Sequence, residues 1–162
     1  MYAWVSHLPG DRADGAQPLA GGWLVPVQGA AVSVLDRGVL LGDGLFESVR
    51  IAQGRLPLWH RHRQRLEEGC RLLGMPTPPW DLEAAAAGTV QAAGVQEGVL
   101  RLTLTRGRGP RGYDPPAIAE PFCSLTVHPL PSGGTAPRPW RALVSSFRQW
   151  PHPVLGRVKH LS

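Results

Sequence analysis

Residues 44–59 read GLFESVRIAQGRLPLW, and the fold follows from the change of hydrophobic period within and just after this stretch. It begins with strict alternation, which is typical of a β-strand with two different faces. One of those faces comprises Leu45, Glu47, Val49 and Ile51, and the other comprises Phe46, Ser48 and Arg50. Gly54 can supply the positive φ of a tight turn. From about Leu58 to Leu73 the apolar residues recur at helical spacing, so we predict a strand, a turn and a helix.

Strand signals continue on both sides of this stretch. The segment GGWLVPVQGAAVSVLDRG (21–38) predicts two short strands hinged near Gln28 and Gly29. The segments VLRLTLTRG (99–107) and FCSLTVHPL (122–130) predict two further strands, because their apolar residues alternate with polar ones.

A second helix is predicted by DLEAAAAGTVQAAG (81–94), where Asp81 can cap the helix and Gly94 can end it. Together with the strands, this pattern favours an α+β fold in which an antiparallel sheet is accompanied by two helices.

Composition divides the chain into four segments. We expect 1–20 to be a loose N-terminal segment and 21–129 to be a small α+β domain. The proline- and glycine-rich segment 130–139 is typical of an interdomain linker. Residues 140–162 start a second domain, with WRALVSSFRQW (140–150) as its first strand. A strand and a short tail cannot bury a core of their own, so they either dock on the first domain or belong to a domain cut short.

The net charge of +5 raises the question of a polyanionic partner. The arginines, however, are spread along the chain and mixed with carboxylates, as in RHRQRLEEGCR (61–71). There is no block of like charge and no aromatic ladder, so nucleic acid is not favoured, and anionic small molecules explain the charge equally well.

Cysteine usage and hydropathy bear on the compartment. Cys70 and Cys123 match no metal-ligand spacing and are too few for a disulfide framework, which favours reduced thiols in a cytoplasmic protein and no metal site. The N-terminus does not have the pattern of a signal peptide, and no segment approaches the length of a membrane span.

Three glycine- or arginine-rich stretches are candidates for binding chemistry. The first, GDG (42–44), is typical of a tight turn. The second, HRHRQRLEEG (60–69), is either a solvated helix face or a place where one arginine reaches inward to a phosphate. In the third, TRGRGPRGY (105–113), glycines let a ligand approach the backbone, and Arg111 and Tyr113 can bind a carboxylate. Binding of nucleic-acid phosphates is the alternative for this loop.

Lys159 is the only lysine in a chain that contains 16 arginines. A strong arginine bias could leave one lysine as an ordinary surface residue. The alternative is chemical, because a desolvated lysine can lose its proton and attack a carbonyl, which an arginine cannot do.

Taken together and in this order, the motifs resemble one family, the fold-type IV pyridoxal-phosphate enzymes. The resemblance extends from about Trp23 to Ser162. It is carried by LDRG and GDGLFE, by the His62-x-x-Arg65-Leu66 pattern, by TRGRGPRGY and by GRVKHLS. It implies a D-amino-acid-aminotransferase-like fold, in which the small domain precedes a barrel-like α+β domain that has only begun at Ser162.

The resemblance also implies roles for individual residues. Lys159 would carry the cofactor, pyridoxal 5'-phosphate, and Arg65 would contact the cofactor phosphate. Arg111 and Tyr113 would bind carboxylates of a small-molecule substrate, and Phe46 would also contact the substrate. Family members are commonly cytoplasmic homodimers, and we expect the same here.

Within this family the chain looks most like aminodeoxychorismate lyase. The Lys-His-Leu sequence, the RGPRGY loop and Phe46 favour that branch. D-amino-acid aminotransferases more often carry Tyr at the position of Phe46 and Lys-Ser-Leu at the lysine, and branched-chain enzymes usually have Gly at the position of Ser48.

The implied reaction converts 4-amino-4-deoxychorismate to 4-aminobenzoate and pyruvate, a step of folate biosynthesis. A class IV aminotransferase acting on D- or branched-chain amino acids is the alternative, as is a non-catalytic truncated interaction domain. In the family, the carboxylate that pairs with the pyridine nitrogen follows the lysine, as do backbone amides that hold the phosphate. We therefore expect the 162 residues alone to bind the cofactor poorly and to be an N-terminal portion of the enzyme.

Overall fold

The structure, a computed structural model, describes residues 1–8, 14–130, 139, 141–148 and 152–162. Within them, six strands form a single sheet in the spatial order β2-β3-β1-β6-β5-β4, and every neighbouring pair is antiparallel. The strands are β1 (Tyr2–Val5), β2 (Gln17–Leu19), β3 (Gly22–Pro26), β4 (Gly44–Ala52), β5 (Glu97–Thr105) and β6 (Phe122–Pro129). The helices are α1 (Arg37–Leu41), α2 (Trp59–Leu73) and α3 (Leu82–Ala93), with 3-10 turns at Val27–Gly29 and Leu155–Arg157.

The core lies between one face of the sheet and the helices α2 and α3. Leu100, Leu102 and Leu104 of β5 point into it and are almost completely buried, as the alternation in the sequence predicts. On β4, the face that begins with Leu45 is buried and the face that begins with Phe46 is more open. The predicted α+β fold with an antiparallel sheet and two long helices is therefore confirmed.

The ends of the elements follow the residues that the sequence marks. Asp81 accepts a hydrogen bond from the amide of Ala84 at the start of α3, and Gly94 ends that helix with a φ of +64°. Gly54 adopts a φ of +69° in the turn after β4. Leu58 does not belong to the helical stripe, because it is exposed and has a left-handed backbone, and α2 begins one residue later.

The N-terminus corrects the expectation that 1–20 is a loose segment. β1 lies inside the sheet between β3 and β6, and β2 pairs with β3. Trp4 is completely buried, and its indole nitrogen donates to the carbonyl of Leu19 at 2.8 Å. The expectation was wrong at these strands because four residues are too few for a visible alternation and their pairing is long-range. Residues 9–13 lie outside the described residues.

Two other predicted strands are absent from the described residues. The second strand of 21–38 is replaced by the 3-10 turn and then by α1, where Asp36 accepts a hydrogen bond from the amide of Gly38 at 2.7 Å. The capping carboxylate starts a helix that the apolar run alone did not indicate. The strand predicted for 140–150 is not formed over 141–148, and its remaining residues lie outside the described part of the chain.

The predicted linker also falls largely outside the described residues, since 131–138 are among those left out. Both cysteines are free and buried, and burial raises the pKa of the Cys70 thiol to about 11. None of the helices found in the described ranges is both long enough and apolar enough to cross a membrane.

Candidate active site at the edge of strand β4

The segment that carries the single lysine lies along the outer edge of β4, on the side opposite β5. The amide of Phe46 donates to the carbonyl of Lys159 at 2.9 Å, and the amide of Leu161 donates to the carbonyl of Gly44 at 3.0 Å. These two bonds pair the first residues of β4, which is an edge strand, with the C-terminal segment. They also fix the position of Lys159 relative to β4.

The GDG turn provides the space for this segment. Gly42 has a φ of +67°, and a Cβ atom there would lie 2.6 Å from the Oγ atom of Ser162. That hydroxyl donates to the carbonyl of Gly42 at 3.3 Å. A side chain at position 42 would therefore be strained and would push the C-terminal segment away from β4.

Two cationic groups contact the ring of Phe46. The Nζ atom of Lys159 lies 4.7 Å from the ring centroid, and the Cζ atom of Arg101 lies 3.6 Å from it. Both distances are in the range of cation–π contacts. Arg101 makes none of the ion pairs found among the described residues, and burial lowers the pKa of its guanidinium. The Phe46 face of β4 is therefore a cationic surface suited to an anionic ligand.

On the opposite face of β4, Glu47 is 1% exposed and accepts from two basic side chains. Nδ1 of His62 lies 2.7 Å from the carboxylate, and Nε and Nη2 of Arg65 both donate to it. Burial alone would raise the pKa of Glu47, but the hydrogen bonds and charges of Arg65 and His62 outweigh burial and lower it. Glu47 is therefore an ionised carboxylate that fixes the orientation of Arg65.

Arg65 keeps hydrogen-bonding capacity beyond this pair. Its side chain is 52% exposed, and its Nη1 atom makes none of the hydrogen bonds found in the described part of the chain. A guanidinium has five N–H donors, so Arg65 can hold Glu47 and donate to an anionic oxygen at the same time.

Arg111 and Tyr113 lie on the exposed loop between β5 and β6, and Tyr113 is 87% exposed. A groove of about 470 Å³ is lined by this loop and by α1. No hydrogen bond or ring contact among the described residues joins Arg111 or Tyr113 to Lys159 or Phe46. The structure thus brings Lys159 and Phe46 into contact, and the contacts found in the described ranges do not join the two loop residues to that pair.

Sequence reasoning missed two arginines that organise this region, Arg37 and Arg106. Their Nε atoms donate to the same oxygen of Asp43, at 2.7 Å and 2.8 Å. Burial alone would raise the pKa of Asp43, but the two arginines outweigh burial and lower it. Arg106 also caps α2 by donating to the carbonyls of Leu73 and Gly74. The feature they share in the sequence is a glycine directly after the arginine, in LDRG and TRGRG, which does not by itself indicate a buried ion pair.

With this geometry in hand, comparison with known proteins is informative. Residues 44–162 match the profile of the amino-transferase class IV family. The chain belongs to this family. The match includes β4, α2, the glycine-rich loop and the Lys159 segment, so it contains every residue proposed for the site from the sequence.

Three relatives of this class IV chain illustrate its range. It is 30% identical to a putative branched-chain-amino-acid aminotransferase of Methanocaldococcus jannaschii, over 87% of this chain and 50% of the relative. Its structure superimposes on the crystal structure of 4-amino-4-deoxychorismate lyase from Pseudomonas aeruginosa with a TM-score of 0.56 and 44% sequence identity. The match covers 65% of this chain and 38% of that one. It also superimposes on the structure of a hypothetical aminotransferase from Mycobacterium tuberculosis in its PLP-bound form, with a TM-score of 0.56 and 28% sequence identity. That match covers 70% of this chain and 39% of the other.

The class IV chain thus spans half or less of the length of these relatives. Its family implies pyridoxal phosphate as cofactor, and two of the predicted residues have the chemistry for that molecule. Lys159 contacts Phe46 and Arg65 pairs with Glu47, and these two partners lie on opposite faces of β4. Lys159 offers a primary amine for an aldehyde, and Arg65 offers unused donors for a phosphate. Nδ1 of His160, the residue after the lysine, is buried and has no hydrogen-bond partner in the described part of the chain. A buried polar atom of this kind leaves a hydrogen bond that a ligand or a water molecule could complete.

Proposed function

We propose that Lys159 is the residue that carries pyridoxal phosphate, in an enzyme that acts on the amino group of a carboxylate-bearing small molecule. The observation that supports this most strongly is the fixed position of the chain's only lysine. Its backbone is bonded to β4, and its Nζ atom contacts the ring of Phe46. One main-chain hydrogen bond involves Lys159 itself and a second involves Leu161, and together with the ring contact they present the amine at a defined place on β4.

Each nearby residue has a distinct task in this proposal. Pyridoxal phosphate supplies an electron sink that weakens bonds at the carbon next to the substrate nitrogen. Arg65, oriented by Glu47, donates to the cofactor phosphate through the N–H groups that Glu47 leaves unused. Phe46 covers one side of the Lys159 amine and limits the approach of water to it.

Substrate carboxylates are bound by arginines. Arg101 lies against Phe46 and has no carboxylate partner among the described residues, so we assign it to one substrate carboxylate. Arg111, on the exposed loop, is assigned to a carboxylate together with Tyr113. Guanidinium groups suit this role because their planar donors match the two oxygens of a carboxylate.

For the reaction itself, we propose an aminodeoxychorismate lyase, which releases 4-aminobenzoate and pyruvate from 4-amino-4-deoxychorismate. The likeness to the Pseudomonas aeruginosa lyase supports this choice, as do Phe46 and the RGPRGY loop. The freed amine of Lys159 would remove the ring proton at the carbon that bears nitrogen and then return a proton to the departing enol. The likeness to the Methanocaldococcus protein favours the alternative, a class IV aminotransferase, in which the same amine moves a proton between two carbons.

A product assay on the full-length protein separates the two reactions. The lyase forms 4-aminobenzoate and pyruvate without a second substrate, whereas an aminotransferase requires a keto acid and forms a new amino acid. We expect 4-aminobenzoate from 4-amino-4-deoxychorismate and no requirement for a keto acid. Amino-group transfer without any 4-aminobenzoate would contradict the lyase assignment and leave the aminotransferase.

Lys159→Arg is the matched variant for the cofactor role. It preserves the positive charge and the contact with Phe46, but a guanidinium does not attack an aldehyde. We expect the variant to lose the visible absorbance band that marks covalent attachment of the cofactor, together with all turnover. A variant that retains that absorbance would refute the role of Lys159.

The organisation of the whole enzyme follows from the same proposal. We propose that 21–129, joined by β1 and β2, form the small domain and that 130–139 link it to a second domain that begins at 140–162. We further propose a cytoplasmic homodimer, in keeping with two free thiols and with the family resemblance.

A further inference from the structure

One buried arginine contacts the glycine-rich loop at several points. The amide of Arg37 donates to the carbonyl of Gly107 at 2.9 Å. Its guanidinium donates through Nη2 to the carbonyl of Tyr113 at 2.8 Å and through Nη1 to the carbonyl of Asp114 at 3.0 Å. The side chain also fills the space beside Gly109, where a Cβ atom would lie 2.7 Å from Cδ of Arg37.

These contacts enclose the part of the loop that carries Arg111. Arg37 binds the loop before that residue, at Gly107 and Gly109, and after it, at Tyr113 and Asp114. Arg111 itself is exposed and makes none of the hydrogen bonds or ion pairs found in the described ranges. The order of the loop therefore depends on an arginine that lies in a different element, α1.

The charge of Arg37 is compensated without involving the loop. Asp43 accepts from Nε of Arg37 at 2.7 Å and from Arg106 at 2.8 Å, so Arg37 shares a counter-charge with Arg106 while two of its nitrogens remain directed at loop carbonyls. The side chain of Arg37 is only 6% exposed. Hydrogen bonds from a charged donor to carbonyls in such a setting are stronger than ordinary ones.

We propose that Arg37 is a positioning residue that orders the 107–114 loop and thereby tightens the binding of carboxylate ligands by Arg111 and Tyr113. This inference rests on the proposed function, because that function assigns ligand binding to the loop. Arg37 itself does not touch the ligand.

The experiment combines hydrogen exchange with ligand binding in the full-length protein. Arg37→Lys keeps the charge beside Asp43, but one ammonium cannot reach Asp43 and both loop carbonyls. Gly109→Ala is the second variant, since its new methyl group would lie 2.7 Å from Cδ of Arg37 and disturb the packing of the loop on that side chain while both Arg37 and Asp43 are retained. Arg55→Lys is the control, because Arg55 is exposed and lies far along the chain in the turn after β4.

In both test variants we expect the amides of positions 37 and 107, which are hydrogen-bonded where α1 meets the loop, to exchange about tenfold faster, while those of β5 remain unchanged. Calorimetry with 2-oxoglutarate as the dicarboxylate probe should give a Kd about five- to tenfold higher than for the wild type, corresponding to about 1 kcal/mol. Arg111→Gln should weaken binding without accelerating exchange, because it removes the contact and leaves the loop in place.

Unchanged exchange in a folded Arg37→Lys variant would overturn the proposal, and so would faster exchange with an unaltered Kd. A wild type that binds no dicarboxylate would overturn it as well. Failure of the proposed function would be seen in a different measurement. The covalent attachment of pyridoxal phosphate to Lys159 is measured without the loop variants and without 2-oxoglutarate, so its absence would refute the proposed function separately.

Discussion

Two carboxylates of the GDGLFE run, Asp43 and Glu47, each accept hydrogen bonds from two basic side chains, yet the two clusters differ in one respect. Around Asp43, both arginine side chains are buried, with exposed fractions of 6% for Arg37 and 10% for Arg106. Around Glu47, the side chain of Arg65 is 52% exposed. Both carboxylates have a lowered pKa, so the charges are similar and only access to the arginines differs.

That difference separates structural arginines from ligand-binding ones. Arg37 and Arg106 direct their remaining N–H groups at backbone carbonyls, which joins the turn to the loop and to the end of α2. Arg65 has donors left over, and its half-exposed side chain leaves them accessible to solvent. A buried carboxylate can therefore either complete a structural junction or orient a cation for binding, and the exposure of its partner decides which.

The largest expected effect comes from Asp43→Asn. The substitution leaves two buried guanidinium groups without their counter-charge, which should lower the free energy of unfolding by about 3 kcal/mol. Urea unfolding of the variant and the wild type measures this difference. A loss below about 1 kcal/mol would show that the cluster is not a structural junction.

Arg65→Gln should lower stability less than Asp43→Asn and should affect cofactor binding instead. Because His62 remains beside the buried carboxylate of Glu47, the free energy of unfolding should fall by about 2 kcal/mol. Loss of a charge-assisted contact with the phosphate should raise the Kd for pyridoxal phosphate at least about tenfold. A titration of the full-length protein with the cofactor tests this, and equal affinities would place Arg65 outside the binding site.

The free energy of unfolding should depend on pH through the protonation of both carboxylates, Asp43 and Glu47. Their folded pKa values lie below the ordinary 3.8 and 4.5, so the unfolded chain takes up protons first as the pH falls. Their contribution is complete above about pH 4.5 and is lost as the pH drops through the folded values. Urea unfolding between about pH 7 and about pH 3 should show this decline, and Asp43→Asn should make it shallower. A decline of equal steepness in that variant would contradict the assignment.

Arg63→Gln should have the smallest effect. Arg63 pairs with Glu67 one turn along α2, and both side chains are largely exposed, so solvent screens the pair. We expect no resolvable change in the unfolding midpoint or in the affinity for the cofactor. A clear change in affinity would mean that the binding surface extends along the exposed face of α2.

The sequence was sufficient to predict those elements that depend on neighbouring residues or on a periodic pattern. The alternating residues of β4 and β5 and the caps of α3 stand where the pattern indicates. β1 was missed because its position between β3 and β6 depends on residues more than a hundred positions away, such as Leu125 opposite Trp4. Pairing at that distance leaves no periodic signal in a four-residue segment.

In the candidate site, too, some residues could be predicted from the sequence and others could not. Lys159 and Phe46 were identified by motif, and they do lie together at the edge of β4. The roles of Arg37 and Arg106 could not be predicted, since an arginine in a turn is normally solvated, and only the fold brings Asp43 between the two. Whether an arginine is buried in an ion pair or remains accessible to a ligand depends on the three-dimensional packing around it.

The central claim is that the amine of Lys159 reacts with the aldehyde of the cofactor. Borohydride reduction of the full-length protein with pyridoxal phosphate, followed by peptide mapping, tests this claim most directly. The account predicts a phosphopyridoxyl group on the peptide that follows Arg157, and its absence in Lys159→Arg. A label on another peptide, or an unlabelled Lys159 in protein that has bound the cofactor, would contradict it.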